Sequence, residues 1–184
     1  METKPLGKKA TAKQKAKQLI DAAERGDLQR VTSLLDEGVD VHARDQRNGR
    51  TALVAAAWNG RYDVVRLLVR RGGESSFKED ETRAFVAAAW NGHLEVVRFL
   101  FDRGIDAREK YANGRTVLHA AVWNGHHDVV LLLLDRGVDA NVRDNRGRTI
   151  LHDGSLRGHT AIVRLLLCGT VDAEERDNVR QPVQ

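Results

Sequence analysis

Apolar residues return along this chain at helical spacings. Leu28, Val31, Leu34 and Leu35 are followed by Val64-Val65-Leu67-Leu68, Val96-Val97-Phe99-Leu100 and Val129-Val130-Leu132-Leu133, each set separated by polar positions. Such spacing predicts an amphipathic helix of about three turns in each segment, with one face buried. Every segment lies between two glycines twelve residues apart, at Gly26 and Gly38, Gly60 and Gly72, Gly92 and Gly104, and Gly125 and Gly137. Glycine just past the last turn is a helix stop, because it adopts the left-handed conformation without a Cβ penalty. Gly158 continues the first series, and the intervals of 34, 32, 33 and 33 residues define a repeat.

A second, shorter helix is expected ahead of the first glycine in the second to fourth units, over Leu53 to Asn59, Phe85 to Asn91 and Leu118 to Asn124. Alanines crowd it, at Ala55 to Ala57 and again at Ala87 to Ala89, and small side chains allow helices of successive units to approach closely. Polar stretches containing Asn48-Gly49-Arg50, Asn113-Gly114-Arg115 and Arg146-Gly147-Arg148 read as projecting turns. The third unit is a residue short, and its lead-in from Glu74 to Glu81 has no glycine turn, so an irregular finger is expected there. In the fifth unit Asp153-Gly154-Ser155 replaces the alanines and the closing glycine moves to Gly169, as suits an end unit with one face toward water. Thr11 and Gln14 fit a capping box that starts the first helix near Ala12.

Thr116-Val117-Leu118-His119-Ala120-Ala121 and Thr149-Ile150-Leu151-His152, each followed by Gly-His and a Val-Val or Ile-Val helix, resemble the ankyrin-repeat signature T-P-L-H-x-A. Thr51-Ala52-Leu53 is a partial copy, and no copy has the proline. The resemblance covers roughly residues 18 to 175 and implies an all-α fold, an ankyrin-repeat solenoid of stacked helix-turn-helix units with projecting β-turn or hairpin loops. It also implies that His119 and His152 hydrogen-bond backbone groups around the turns. The expected organisation is a Lys-rich arm over residues 1–10, one repeat domain over 11–176 with units at 12–44, 45–78, 79–110, 111–143 and 144–176, and a tail or a started sixth unit at 177–184.

Composition narrows the function. No uninterrupted apolar run approaches the roughly 18 residues of a spanning helix, so no membrane role is expected. One thiol, Cys168, leaves no internal disulfide, and the lysines behind Met1 leave no apolar signal core. Both point to the cytoplasm or nucleus. The first 18 residues carry six lysines against Glu2 alone, a net +5, so the remaining chain stands at −1 and basicity belongs to the arm.

Catalysis needs converging groups, whereas equivalent positions in a stack lie about 8–10 Å apart. His119 with His152, and His93 with His126 and His159, are therefore expected to be structural, neither metal ligands nor general bases. No phosphate loop, paired cysteines or activated-serine motif is present, and Cys168 reads as a packing residue. No catalytic residue, metal or cofactor is expected.

Binding is the stronger reading. The resemblance implies that the residues just before each unit's first glycine, with the turn residues, line a concave recognition surface. Those positions are Trp58-Asn59, Trp90-Asn91, Trp123-Asn124 and Leu156-Arg157, and they hold all three tryptophans. Tryptophan is the residue type most enriched in binding hot spots, although these indoles could also pack sideways against the next unit. Asp21, Glu24 and Arg25 give this surface one charged end, and Asp153 and Arg157 the other. Arg50, Arg115 and Arg148 form a second set, ten residues before Gly60, Gly125 and Gly158, with Arg47, Arg108, Arg143 and Arg146 nearby. Their forks suit carboxylate or phosphate, or they are solvated turn residues balanced by Asp45, Asp80 and Asp144. The expected function is a monomeric, non-catalytic scaffold that binds a protein or peptide, acidic in character, through the groove and turns. The alternative is an adaptor associated with nucleic acid or the nucleus through the basic arm, but a near-neutral body disfavours nucleic acid.

Overall fold

The computed structural model describes residues 11–46, 48–72, 78–111 and 113–168. The arm at residues 1–10, Arg47, the stretch Glu74 to Phe77, Gly169 and the tail at 177–184 lie outside them. Nine helices have defined bounds: α1 (Ala12–Arg25), α2 (Leu28–Asp36), α3 (Ala52–Trp58), α4 (Tyr62–Gly72), α5 (Lys78–Trp90), α6 (Leu94–Asp102), α7 (Val117–Trp123), α8 (His127–Asp135) and α9 (Ile150–Leu156). Residues 160–168 are also helical. The order is that of five helix-turn-helix units, and the described residues hold no extended strand, only an isolated antiparallel bridge between Arg44 and Thr51.

The chain divides into two compact units, Met1–Ala84 and Phe85–Gln184, with the division falling inside α5. In the first, α1 packs against α2 and α3, and α4 against α2 and α3. Leu19, Ala22, Ala23, Val31, Leu34, Val64, Val65 and Leu68 are buried there, together with all of Ala52 to Ala57. Six consecutive buried residues are possible because four are alanines, which let neighbouring helices close on every side of α3. In the second unit α7 packs on α8 and α9, α6 on α8, and Phe85 stacks on Phe101 with centroids 5.9 Å apart.

Local chemistry sets the helix ends. Thr11 and Gln14 form the expected capping box, and α1 begins at Ala12. Asp27 caps α2 by accepting the Arg30 N–H at 3.0 Å. Gly26, Gly38, Gly60, Gly92, Gly104, Gly125, Gly137 and Gly158 all have φ between +67° and +86°, as helix stops should. Gly72 does not behave as the sequence series suggested and instead ends α4 as a helical residue.

The third unit also differs from expectation. Its lead-in was read as an irregular finger from Glu74 to Glu81, but Lys78 to Glu81 form the first turn of α5, so this helix starts seven residues before Phe85. Glu79, Asp80 and Glu81 favour that outcome, since carboxylates in a first turn face the positive end of the helix dipole. Regular fingers are present where glycine turns were expected. Asp45 N–H donates to the Arg50 carbonyl at 2.8 Å, Tyr111 to Arg115 at 2.9 Å and Asp144 to Arg148 at 2.9 Å. Among the described residues no helix is long and apolar enough to cross a membrane.

Candidate functional site

In the first unit, α3 ends at Trp58, whose indole is 42% exposed. The Arg50 guanidinium, from the finger ahead of α3, lies over this ring at 5.5 Å from its centroid. Its Nη2 is buried and makes no hydrogen bond, so stacking on the ring is the contact that holds that nitrogen. Asn59, expected on the recognition surface, turns back on its own helix and donates its amide to the Ala55 carbonyl at 2.9 Å. Asn91 and Asn124 do the same in the second unit, to Ala87 at 2.9 Å and Ala120 at 3.0 Å. The Trp-Asn pairs thus divide their labour, the asparagine closing the helix end and the indole facing outward. Arg44 meets the buried Asp80 at 3.1 Å. Asp21 is half-buried and Glu24 and Arg25 are exposed, at the charged edge the sequence indicated.

In the second unit Trp90 is 38% exposed and Trp123 half-buried. Trp123 is the centre of a charged cluster. The guanidiniums of Arg115 and Arg157 each lie 4.9 Å from its ring centroid. Arg115 is neutralised: its Nη2 reaches Asp153 Oδ2 at 2.5 Å, and its Nε stands 3.7 Å from Asp144 Oδ2. Asp144 accepts from Arg148 through Nε at 3.2 Å and Nη2 at 3.0 Å, while its Oδ1 accepts the Arg146 and Arg148 backbone N–H groups. These donors, the Arg148 backbone first, pull the Asp144 carboxyl down to about 2. Asp153, placed by sequence at the charged end of the groove, is instead fully buried. The corresponding position five before the glycine is Ala55, Ala87 or Ala120 in the second to fourth units and the half-buried Asp21 in the first, so the fully buried carboxylate here occupies what is an alanine slot in the three preceding units and requires a countercharge. Its partner was not legible because it lies 38 residues away, but the alanine-to-aspartate change was the available signal.

Arg157 is fixed differently. Its Nε donates to the Trp123 carbonyl at 3.2 Å, and no carboxylate among the described residues pairs with it. Beside it Leu156, in the register of the tryptophans, is 69% exposed. Of the turn arginines, Arg115 and Arg148 are therefore committed internally, whereas Arg157 is held in place with no carboxylate partner among the described residues. Arg108, Arg143 and Arg146 are exposed, and Arg143 bonds the Gly147 carbonyl across its finger.

Four of the histidines make hydrogen bonds to the backbone. His119 Nδ1 accepts the Thr116 N–H and His152 Nδ1 the Thr149 N–H, both at 3.2 Å, as the signature implied. Burial lowers the His119 pKa, and its Nε2 is buried without a hydrogen-bond partner. His126 Nε2 bonds the Trp90 carbonyl at 2.8 Å and His159 Nε2 the Trp123 carbonyl at 3.2 Å. In the first unit Arg61 Nε makes the equivalent bond to the Glu24 carbonyl. The residue after each of these glycines thus staples its helix pair to the preceding one, a role the Gly-His pattern held but did not reveal. No three His, Cys, Asp or Glu side chains among the described residues gather as a metal would need. Cys168, expected to pack, is exposed because the buried stripe of the last helix runs through Ile162 and Leu166, and residue 168 turns away from it.

These features agree with comparison to known proteins. A family model described as ankyrin repeats in three copies matches residues 19–111 and again 106–177, and the chain belongs to the ankyrin-repeat family. Ankyrin repeats generally mediate protein–protein interaction. A 62-residue stretch is 42% identical to the mitochondrial disaggregase of Bos taurus, covering 34% of this chain and 9% of that protein. Another of 72 residues is 36% identical to the 2-5A-dependent ribonuclease of Mus musculus, covering 39% and 10%. A third of 61 residues is 41% identical to serine/threonine-protein kinase 12 of Arabidopsis thaliana, covering 33% and 13%. The chain spans about a tenth of the length of these relatives.

Proposed function

We propose that this chain is a non-catalytic interaction module that binds a protein or peptide through the outward ends of its inner helices and the adjoining fingers. Trp58 serves in the first unit, and Trp90, Trp123, Leu156 and Arg157 in the second. The observation that carries this reading is the exposure of Trp58 and Trp90, at 42% and 38%, on helices whose ends are already closed by asparagine amides. Exposed indoles on rigid supports offer large contact area at little ordering cost. Asn59, Asn91 and Asn124 support these positions, Arg50 and Arg115 hold the faces of Trp58 and Trp123, and Arg148 acts through Asp144. No arrangement of nucleophile, base and oxyanion donors is visible among the described residues, and the proposal assigns the chain no chemistry of its own.

The test is selection of ligands from a displayed library of random twelve-residue peptides. The intact chain should enrich a family of sequences. Replacing Trp58 and Trp90 with alanine should weaken binding of a selected peptide at least tenfold while shifting the melting temperature by no more than a few degrees. Equal loss of folding and binding would show that the indoles serve packing. Salt-sensitive retention of oligonucleotides, abolished by Lys4, Lys8 and Lys9→Gln, would favour the arm-based alternative.

A further inference from the structure

We infer that Arg157 and Leu156 form an anchor for an acidic peptide, specifically for an Asp or Glu carboxylate next to an aliphatic residue. The inference rests on the interaction-module reading and names the chemistry of one part of that surface. Two arginines share the Trp123 indole at the same 4.9 Å distance, and their circumstances differ. Arg115 is buried to 16% side-chain exposure and neutralised by Asp153 and Asp144. Arg157 is exposed, and no carboxylate among the described residues meets it. Its guanidinium is nevertheless not loose. The indole fixes the plane, and the bond from Nε to the Trp123 carbonyl at 3.2 Å fixes the rotation about that plane.

The consequence is a preorganised fork. With Nε committed, the two terminal Nη groups remain to donate, and they match the two oxygens of a carboxylate. An arginine held this way loses little rotamer entropy when an anion arrives, which removes much of the usual weakness of exposed ion pairs. The second cation over the same ring cannot compete for that anion, since Asp153 already occupies Arg115. The neighbouring side chain sets the rest of the preference. Leu156, at 69% exposure, is the most exposed large apolar residue described, and it is adjacent in sequence to the fork. A ligand that satisfies both presents an acid and an aliphatic side chain close together, and a partner peptide of that composition is complementary in charge and in polarity.

The same peptide library decides the matter. Wild-type protein should enrich peptides in which Asp or Glu stands within one or two positions of Leu, Ile, Val or Met. For a selected peptide, Arg157→Gln should weaken binding about tenfold or more, Arg157→Lys should not restore it because the fork is lost, and Glu→Gln in the peptide should match the effect of Arg157→Gln. Leu156→Ala should weaken binding by a few-fold. Arg164→Gln, an exposed arginine elsewhere in the same unit, should change nothing. Circular dichroism of each variant establishes that it is folded. Peptides enriched without acidic residues, or an acid preference that survives Arg157→Gln, overturn the inference while leaving a tryptophan-dependent module intact. Failure of the wild type to enrich any peptide overturns both.

Discussion

Replacing Asp153 with asparagine should destabilise the second unit far more than an ordinary surface change. The substitution keeps the shape but removes the charge that faces Arg115 at 2.5 Å, in a side chain with no solvent exposure. Stripping one partner from a buried ion pair costs about 3–5 kcal/mol, because the other charge stays buried without its complement. Here two features reduce that figure: the Arg115 side chain retains 16% exposure, and Asp144 remains 3.7 Å from its Nε. About 2–3 kcal/mol is therefore expected. For a chain of this size that corresponds to a fall in melting temperature of roughly 5–10 °C. Urea unfolding followed by circular dichroism measures it, with Asp128→Asn, whose carboxylate is 81% exposed, as a control expected within about 0.5 kcal/mol of wild type. The double variant Arg115→Met with Asp153→Leu should recover much of the loss, since both charges leave together. A change below about 0.5 kcal/mol for Asp153→Asn would refute the reasoning, because it would mean the pair is effectively solvated. Nearest-neighbour coupling in repeat proteins adds a spatial prediction: amide exchange should rise first in α9 and residues 160–168.

Other consequences follow from the same contacts. Gly92→Ala and Gly137→Ala both force alanine into φ near +77°, but a Cβ at Gly92 would lie 2.4 Å from His126 Nδ1, while nothing lies within 4 Å of one at Gly137. Gly137→Ala should cost about 1–2 kcal/mol and Gly92→Ala measurably more, with His126→Ala removing most of the difference in a double-mutant cycle. Asp144 supplies the acid sensitivity. Its folded pKa of about 2 lies below the ordinary 3.8, so the unfolded chain takes up the proton first as pH falls. The stabilisation it gives is complete above the unfolded value and is lost as pH drops through about 2, so urea midpoints measured from pH 6 to pH 2 should decline over that window and decline less in Asp144→Asn.

The fold was legible because it is written in residue types with few alternatives. Glycines at positions that need positive φ, apolar residues in helical spacing, and threonine at helix starts each report local geometry directly. The third unit was misread where that vocabulary was absent: without a glycine turn, acidic residues Glu79 to Glu81 extended α5 backward. The candidate site was only partly legible. Register placed Trp58, Trp90 and Trp123 at helix ends, and the structure finds two of them at about 40% exposure. Sequence could not say that Asn59, Asn91 and Asn124 would bond within their own helices, because an asparagine next to a glycine serves a cap and a ligand equally well. Nor could it separate Arg115 from Arg157, since whether an arginine is neutralised depends on a carboxylate more than thirty residues away.

The spacing that keeps equivalent histidines apart also accounts for the cluster around Trp123. Equivalent positions in successive repeats lie a full helix spacing apart and cannot meet, and His119 and His152 each bond only their own turn. Convergence requires positions that are not equivalent. Arg115 comes from one finger and Asp144 from the next, Trp123 from one inner helix and Asp153 from the next, and Arg157 from the turn that follows. Each contact between units spans about one repeat, shortened or lengthened by the offset between the two positions: 29 residues for Arg115 and Asp144, 34 for Trp123 and Arg157, and 38 for Arg115 and Asp153. Departures from the repeat pattern acquire meaning on this basis. Gly154 stands in an alanine slot where a Cβ would press Val163 at 3.3 Å and Val122 at 3.4 Å, so the missing methyl group relieves a close contact beside the residue that pairs with Arg115. The fifth unit's break with the alanine pattern thus changes volume and charge together, with the buried Asp153 taken up by Arg115 and no carboxylate among the described residues meeting Arg157.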